Sequence, residues 1–253
     1  AFPDWRPVSV GYENGYIAPD PLDPRIVFGA GVTRFDGETL QNRDVDPGRA
    51  YPDRYRHTWT LPLVFSRRDP KVLYYANQRV FRTADRGAHW EPISPDLSRE
   101  EPGVPAGLDP VTAADSPIEG PRRGVVYTIA PSYFRDHEIW CGTDDGLVWR
   151  TDDEGKRWTN VTPPALSAWS KVTLLEASRH DADTVYAAVD RHRLDDFAPH
   201  LFRTRDGGKT WTEIVAGIPA GAFLQSVRED PVRRGLLYAG TEPASMFRSD
   251  DYG

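Results

Sequence analysis

Residues able to do chemistry are few in this 253-residue chain and lie far apart in it. Two adjacent carboxylates stand at Asp144-Asp145-Gly146; a carboxyl pair can serve as general acid and base when both members face one substrate. Neighbours on an extended chain point to opposite sides, and Asp followed by Gly is equally the signature of a hairpin turn. Both readings stay open. Asp190, Arg191, His192, Arg193, Asp195, Asp196 and His200 place both charge signs on one segment. Such a segment suits a polar ligand, or a solvated ion-pair network of little energetic value. Trp169 near Lys171 offers a stacking ring beside a cation, or else a ring that seals a core; Glu13 and Glu242 lie in turn-like surroundings. His192 and His200 have no third ligand at metal-site spacing, so the sequence gives no metal case, and nothing in it points to a cofactor. The lone Cys141, between Trp140 and Gly142, excludes an intrachain disulfide and reads as a small buried strand residue.

The frame for these residues comes from composition and repetition. A net charge of −7, from 38 Asp+Glu against 31 Lys+Arg, argues against a phosphate-backbone binder, whose affinity needs concentrated positive charge. No stretch approaches the roughly 20 apolar residues of a membrane helix. Self-similarity organises the rest. Thr83-x-Asp85-x-Gly87-x-x-Trp90, Thr151-x-Asp153-x-Gly155-x-x-Trp158 and Thr204-x-Asp206-x-Gly208-x-x-Trp211 are one phrase repeated, and a fourth copy, Ser249-x-Asp251-x-Gly253, stops short of its Trp. The copies begin 68, 53 and 45 residues apart, which is near the length of a four-stranded propeller blade with insertions.

Each repeat carries the same strand grammar. An apolar run, an Asp-Pro or similar polar turn, and a second apolar run recur, as in Leu63–Ala76 and Ser226–Ala239. A third run ends in Phe-Arg-Thr or a relative, and the Asp phrase then turns the chain into a fourth strand. Within that turn Asp accepts from nearby amides, Gly permits positive φ, and Trp buries a large ring. The pattern predicts an all-β fold: a β-propeller of four-stranded antiparallel blades, an incomplete arc of about four to five. Blade units fall near 11–60, 61–95, 123–162, 170–216 and 222–253, with 96–122 as a Pro-rich acidic insertion. A ring cut short in this way would expose its first and last sheets. Second-to-third-strand loops and blade connections share one face, and the Asp phrases share the other. Glu13, Asp144, Asp145, Trp169, Lys171, the Asp190-to-His200 segment and Glu242 fall on the first.

On these phrases the chain resembles the Asp-box, or bacterial neuraminidase repeat, β-propellers. Gly142-Thr-Asp-Asp-Gly146 and the Asp190 segment add a likeness to bacterial sortilin-type propellers, which often carry a glycosyl hydrolase label by repeat similarity alone. The resemblance implies that the box residues, Thr83 to Trp90, Thr151 to Trp158, Thr204 to Trp211 and Ser249 to Gly253, are structural. It implies export, secreted or periplasmic, in bacteria, and further blades beyond this chain as partners. A sialidase is disfavoured, since Gly217-Ile218-Pro219 lacks the arginine that usually precedes Ile-Pro. The leading expectation is a non-catalytic recognition propeller taking a peptide, protein or glycan. The alternative is a glycoside hydrolase similar to xyloglucanases, with two carboxylates across a cleft.

Overall fold

Short runs with apolar residues on both sides of the pleat form strands buried on both faces, because each central strand packs against a neighbouring sheet on either side. A computed structural model describes residues 8, 10, 15–29, 31–49, 55–56, 58, 60–103 and 123–253. Five antiparallel sheets follow one another along the chain. The first contains β1 (Ile17–Pro19), β2 (Ile26–Gly29), β3 (Thr33–Asp36) and β4 (Gln41–Asp44); the second, β5 (Leu63–Phe65), β6 (Leu73–Ala76), β7 (Val80–Thr83) and β8 (Glu91–Pro92). The third contains β9 (Val126–Pro131), β10 (Ile139–Thr143), β11 (Val148–Thr151) and β12 (Thr159–Asn160). The fourth is β13 (Lys171–Ala177), β14 (Val185–Arg191), β15 (Asp196–Thr204) and β16 (Thr212–Glu213). The fifth has three strands among the described residues, β17 (Phe223–Glu229), β18 (Leu237–Glu242) and β19 (Ser245–Ser249).

Alternation along each strand decides which neighbour it meets. In β14, Val185, Ala187 and Val189 join Trp140, Val148 and Ala130 of the third sheet, while Tyr186 and Ala188 join Leu224, Val227 and Ala239 of the fifth. Equivalent cores lie between the first and second sheets, around Phe28 and Phe65, and between the second and third, around Tyr74 and Ile139. Cys141 is fully buried in the latter, and burial pushes its thiol pKa well up. First strands of all five sheets converge on one axial cavity of about 290 Å³. The fold is thus an all-β propeller of antiparallel sheets with a central channel.

The Asp phrases do more than turn the chain. Thr83 Oγ1 donates to Asp85 Oδ1 (2.8 Å) and accepts from the Gly87 amide (3.0 Å), and Asp85 Oδ1 accepts from the His89 amide (2.9 Å). The same bonds recur at Thr151, Asp153 and Gly155, and at Thr204, Asp206 and Gly208; Ser249, Asp251 and Gly253 repeat the hydroxyl ones. Each Trp then reaches across to the preceding sheet. Trp90, Trp158 and Trp211 donate Nε1–H to the carbonyls of Val45, Ile93 and Val161, at 2.7, 2.9 and 2.7 Å. Those acceptors directly follow or lie just past the preceding fourth strands. A Cβ on Gly87, Gly155, Gly208 or Gly253 would press on Val45, Ile93, Val161 or Ile214, so each phrase latches its sheet to the one before. In the first sheet Asp36 substitutes a plain turn, accepting from the Glu38 and Thr39 amides.

Candidate functional site

The second-to-third-strand turn of the third sheet, Asp144 to Leu147, lies on the face opposite the Asp phrases. It is built as a buried knot. The Leu147 amide donates to Thr143 Oγ1 (2.8 Å), and that hydroxyl donates to Asp145 Oδ1 (2.6 Å). Gly146 takes φ +89, and a Cβ there would stand 2.5 Å from the Ser167 carbonyl, so no other residue fits without rearrangement. Asp145 Oδ2 accepts from the amides of Arg99 (2.8 Å) and Gly124 (3.2 Å), and its carbonyl accepts from the Trp169 amide and from Arg99 Nε. Asp145 is therefore a fully engaged structural carboxylate, with burial raising its pKa against the bonds that hold it down.

Asp144 differs. Its Oδ1 accepts from the Val125 amide (2.7 Å), and among the described residues no donor meets Oδ2. Burial, with the Asp145 charge beside it, pushes its pKa up to about 7; the Val125 amide, Arg193 and Lys171 pull the other way. Arg193 lies in a single 3-10 turn, His192–Leu194, and its Nε and Nη1 are buried without an acceptor. Lys171 opens β13 with its ammonium 4.0 Å from the Tyr127 ring centre. A carboxyl whose pKa is raised toward neutrality is suited to proton transfer. Both carboxyls sit against Gly124, where a Cβ would come within 2.6 Å of each.

The charges of Lys171 and Arg193 act on Asp144, and the other expected residues lie elsewhere. Trp169, a candidate stacking ring, has 0 % exposure; its Nε1 donates to the Gly103 carbonyl at 2.6 Å, so it offers no face to a ligand. Asp190 is likewise internal. It accepts from the His192 amide (2.9 Å) and pairs with His192 Nδ1 (2.7 Å), while Gln225 Nε2 approaches at 3.3 Å. The His192 ring packs 5.2 Å from Phe223, and Arg191 pairs with Asp196 at 3.2 Å. The expected long surface loop from Asp190 to His200 is short: β14 and β15 run through most of it, leaving residues 192–195. Extension of the ladder wins because Arg191 pairs with Asp196 across the hairpin. Glu242 is exposed at the end of β18, before a cis peptide to Pro243, and Glu13 lies outside the described residues.

Sequence reasoning missed Arg99 and Arg56, which tie the insertion to the site. Arg56 bonds Asp96, Ser98 and the Gly124 carbonyl. Leu97 is buried, so the start of the insertion is anchored; residues 104–122 lie outside the described residues. Its irregular sequence carries no periodic signal that would have marked Arg99. Among the described residues no cluster of three or more His, Cys, Asp or Glu could hold a metal ion. No helix there is long and apolar enough to cross a membrane.

No family model matches the chain. It is 24 % identical over 121 residues to an oligoxyloglucan-reducing end-specific xyloglucanase of Emericella nidulans, covering 47 % of this chain and 15 % of that protein. To a xyloglucanase of a Paenibacillus species it is 30 % identical over 179 residues, 66 % of this chain and 15 % of that one. It is 32 % identical over 129 residues to the vacuolar protein sorting/targeting protein 10 of Laccaria bicolor, 46 % of this chain and 8 % of that protein. The chain therefore spans less than a fifth of the length of these curated relatives. Among solved structures, an ancestral GH74 enzyme superimposes with a TM-score of 0.55 at 12 % identity, over 92 % of this chain and 30 % of that one. That likeness is one of fold. The protein is a β-propeller distantly homologous to xyloglucanases.

Proposed function

We propose that this chain is part of a glycoside hydrolase of the xyloglucanase type, with Asp144 as the proton-donating carboxyl. One feature supports the reading: burial and the neighbouring Asp145 charge raise the pKa of Asp144, while the Arg193 and Lys171 charges favour its conjugate base. In the chemical step Asp144 Oδ gives its proton to the glycosidic oxygen as the C–O bond breaks. The leaving sugar departs as an alcohol, and the carboxylate left behind is balanced by the two cations. Its partner carboxylate, activating water or attacking directly, would be about 6.5–9.5 or 5–5.5 Å away, and Asp145, whose carboxylate is held by the Thr143 hydroxyl and the Arg99 and Gly124 amides, is not that group. Release of xyloglucan oligosaccharides, followed by chromatography, tests the reading: wild type is expected to cleave, and Asp144→Asn to lose at least about 10²-fold in kcat. An unchanged rate in Asp144→Asn refutes the assignment.

The near-complete burial of Asp144, 1 % exposed, supports a second reading. Here the propeller recognises a peptide, protein or glycan without turnover, in keeping with the match to a sorting protein. Saturable binding of xyloglucan oligosaccharides with no product would favour it. Export to the outside of the cell or to the periplasm goes with either reading.

A further inference from the structure

In the axial cavity, on the Asp-phrase side, the first strands deliver a cluster that the reading above does not use. Arg67 follows β5, Tyr133 follows β9, Glu176 lies near the end of β13, Arg179 is in the turn beyond it, and Arg228 is near the end of β17. Arg67 and Arg179 place their guanidinium carbons 5.4 and 4.6 Å from the centre of the Tyr133 ring. Arg228 Nη1 meets Glu176 Oε2 at 3.1 Å, whereas Arg179 Nε stays 3.8 Å from Oε1. Arg228 and Arg179 thus share the Glu176 carboxylate, and Arg67 lies over the Tyr133 ring beside them. The neighbouring buried Glu229 is already occupied by the Ser178 hydroxyl, the Arg179 amide and the Tyr186 hydroxyl. Arg67 has no hydrogen-bond acceptor or ion pair among the described residues.

The cluster is also incompletely satisfied. Tyr133 Oη, Glu176 Oε1 and Arg179 Nε are all buried without a hydrogen-bond partner, and Glu176 as a whole is only 6 % exposed. Unpaired buried polar groups are costly and rare unless a ligand or water completes them. Arg67, Tyr133, Glu176 and Arg228 line the axial cavity of about 290 Å³, and Phe65 and Leu175 stand among its apolar walls. That volume sits at the lower edge of the roughly 300–1,000 Å³ typical of small-molecule sites.

We propose that this end of the channel binds a small organic acid, its carboxylate held by Arg67 and Arg228 with the Tyr133 hydroxyl donating, and its carbon skeleton against the apolar wall. Three guanidiniums against the carboxylates of Glu176 and Glu229 leave a net positive charge, which calls for an anion. Planar guanidinium forks match a carboxylate, and apolar walls favour a ligand with a carbon body over inorganic phosphate. Glu176 is an internal competitor for the same donors.

Calorimetric titration of the protein with benzoate, with neutral benzamide and inorganic phosphate as comparisons, tests this independently of any glycan cleavage. Benzoate is expected to bind and benzamide not to. Arg67→Gln, at an exposed position, should weaken benzoate at least about tenfold with the thermal midpoint preserved. Glu176→Gln should tighten it, an effect that a purely structural Arg–Glu cluster would not produce. No benzoate binding by the folded protein, binding unchanged in Arg67→Gln, or phosphate bound as tightly as benzoate would each overturn the proposal.

Discussion

Asp144 and Asp145 are neighbours in sequence with opposite physical situations. The donors around Asp145 make it a structural anchor, and Asp145→Asn, which turns a donor toward the Thr143 hydroxyl and two amides, is expected to cost about 1–3 kcal/mol in chemical unfolding. Asp144 carries one amide bond and a burial penalty on its charge. A carboxyl whose folded pKa is raised contributes stability that is full below its unfolded value, near 4, and is lost as pH rises through about 7. Asp144→Asn should therefore raise the thermal midpoint relative to wild type at pH 8 and leave it unchanged or lower at pH 4. The Asp phrases behave in the opposite sense. Bonds from the His89 amide and ring lower Asp85 to about 2, and bonds from the Thr210 hydroxyl and amide lower Asp206 to about 2. Their contribution is present above the unfolded value and is lost as pH falls from about 4 through 2. Melting curves between pH 2 and 5 should fall more steeply for wild type than for an Asp85→Asn, Asp206→Asn double variant.

Among the elements, the Asp phrase is both turn and latch, and only the first role was legible in the sequence. Hydroxyl, carboxylate and glycine stand within one turn, so their spacing betrays their hydrogen bonds. The Trp acceptors lie 45 to 65 residues earlier in the chain, on another sheet, and no local pattern predicts them. The same limit explains Trp169. Its burial depends on Gly103, 66 residues away, in a segment without periodicity. Asp144 was visible as an acidic turn, but its raised pKa comes first from burial, which depends on packing against segments distant in the chain. Glycine substitutions separate the latch from the turn. Gly155 has φ +90 and its Cβ would sit 2.2 Å from the Ile93 carbonyl, whereas Gly217 has φ +83 and open space around it. Gly217→Ala should cost only backbone strain, about 1–3 kcal/mol, and Gly155→Ala distinctly more, as read by denaturant midpoints at constant m-value.

For the molecule as a whole, the five sheets place the two chemically unusual clusters on opposite faces. The packing between sheets was legible as strand grammar, because apolar residues on both sides of the pleat call for a neighbouring sheet on each face. Met246, 75 % exposed on β19, and the strand's unpaired edge among the described residues form a surface that invites pairing with another chain. Met246→Lys is expected to reduce concentration-dependent self-association in sedimentation velocity. The most direct measurement of the proposed role is the pH profile of xyloglucan cleavage for wild type and Asp144→Asn side by side. Expected are a rate that falls on the alkaline side with an apparent pKa near 7, as the proton donor is lost, and an Asp144→Asn variant that is folded and nearly inactive. A rate flat across that range, or an Asp144→Asn variant as active as wild type, would contradict it.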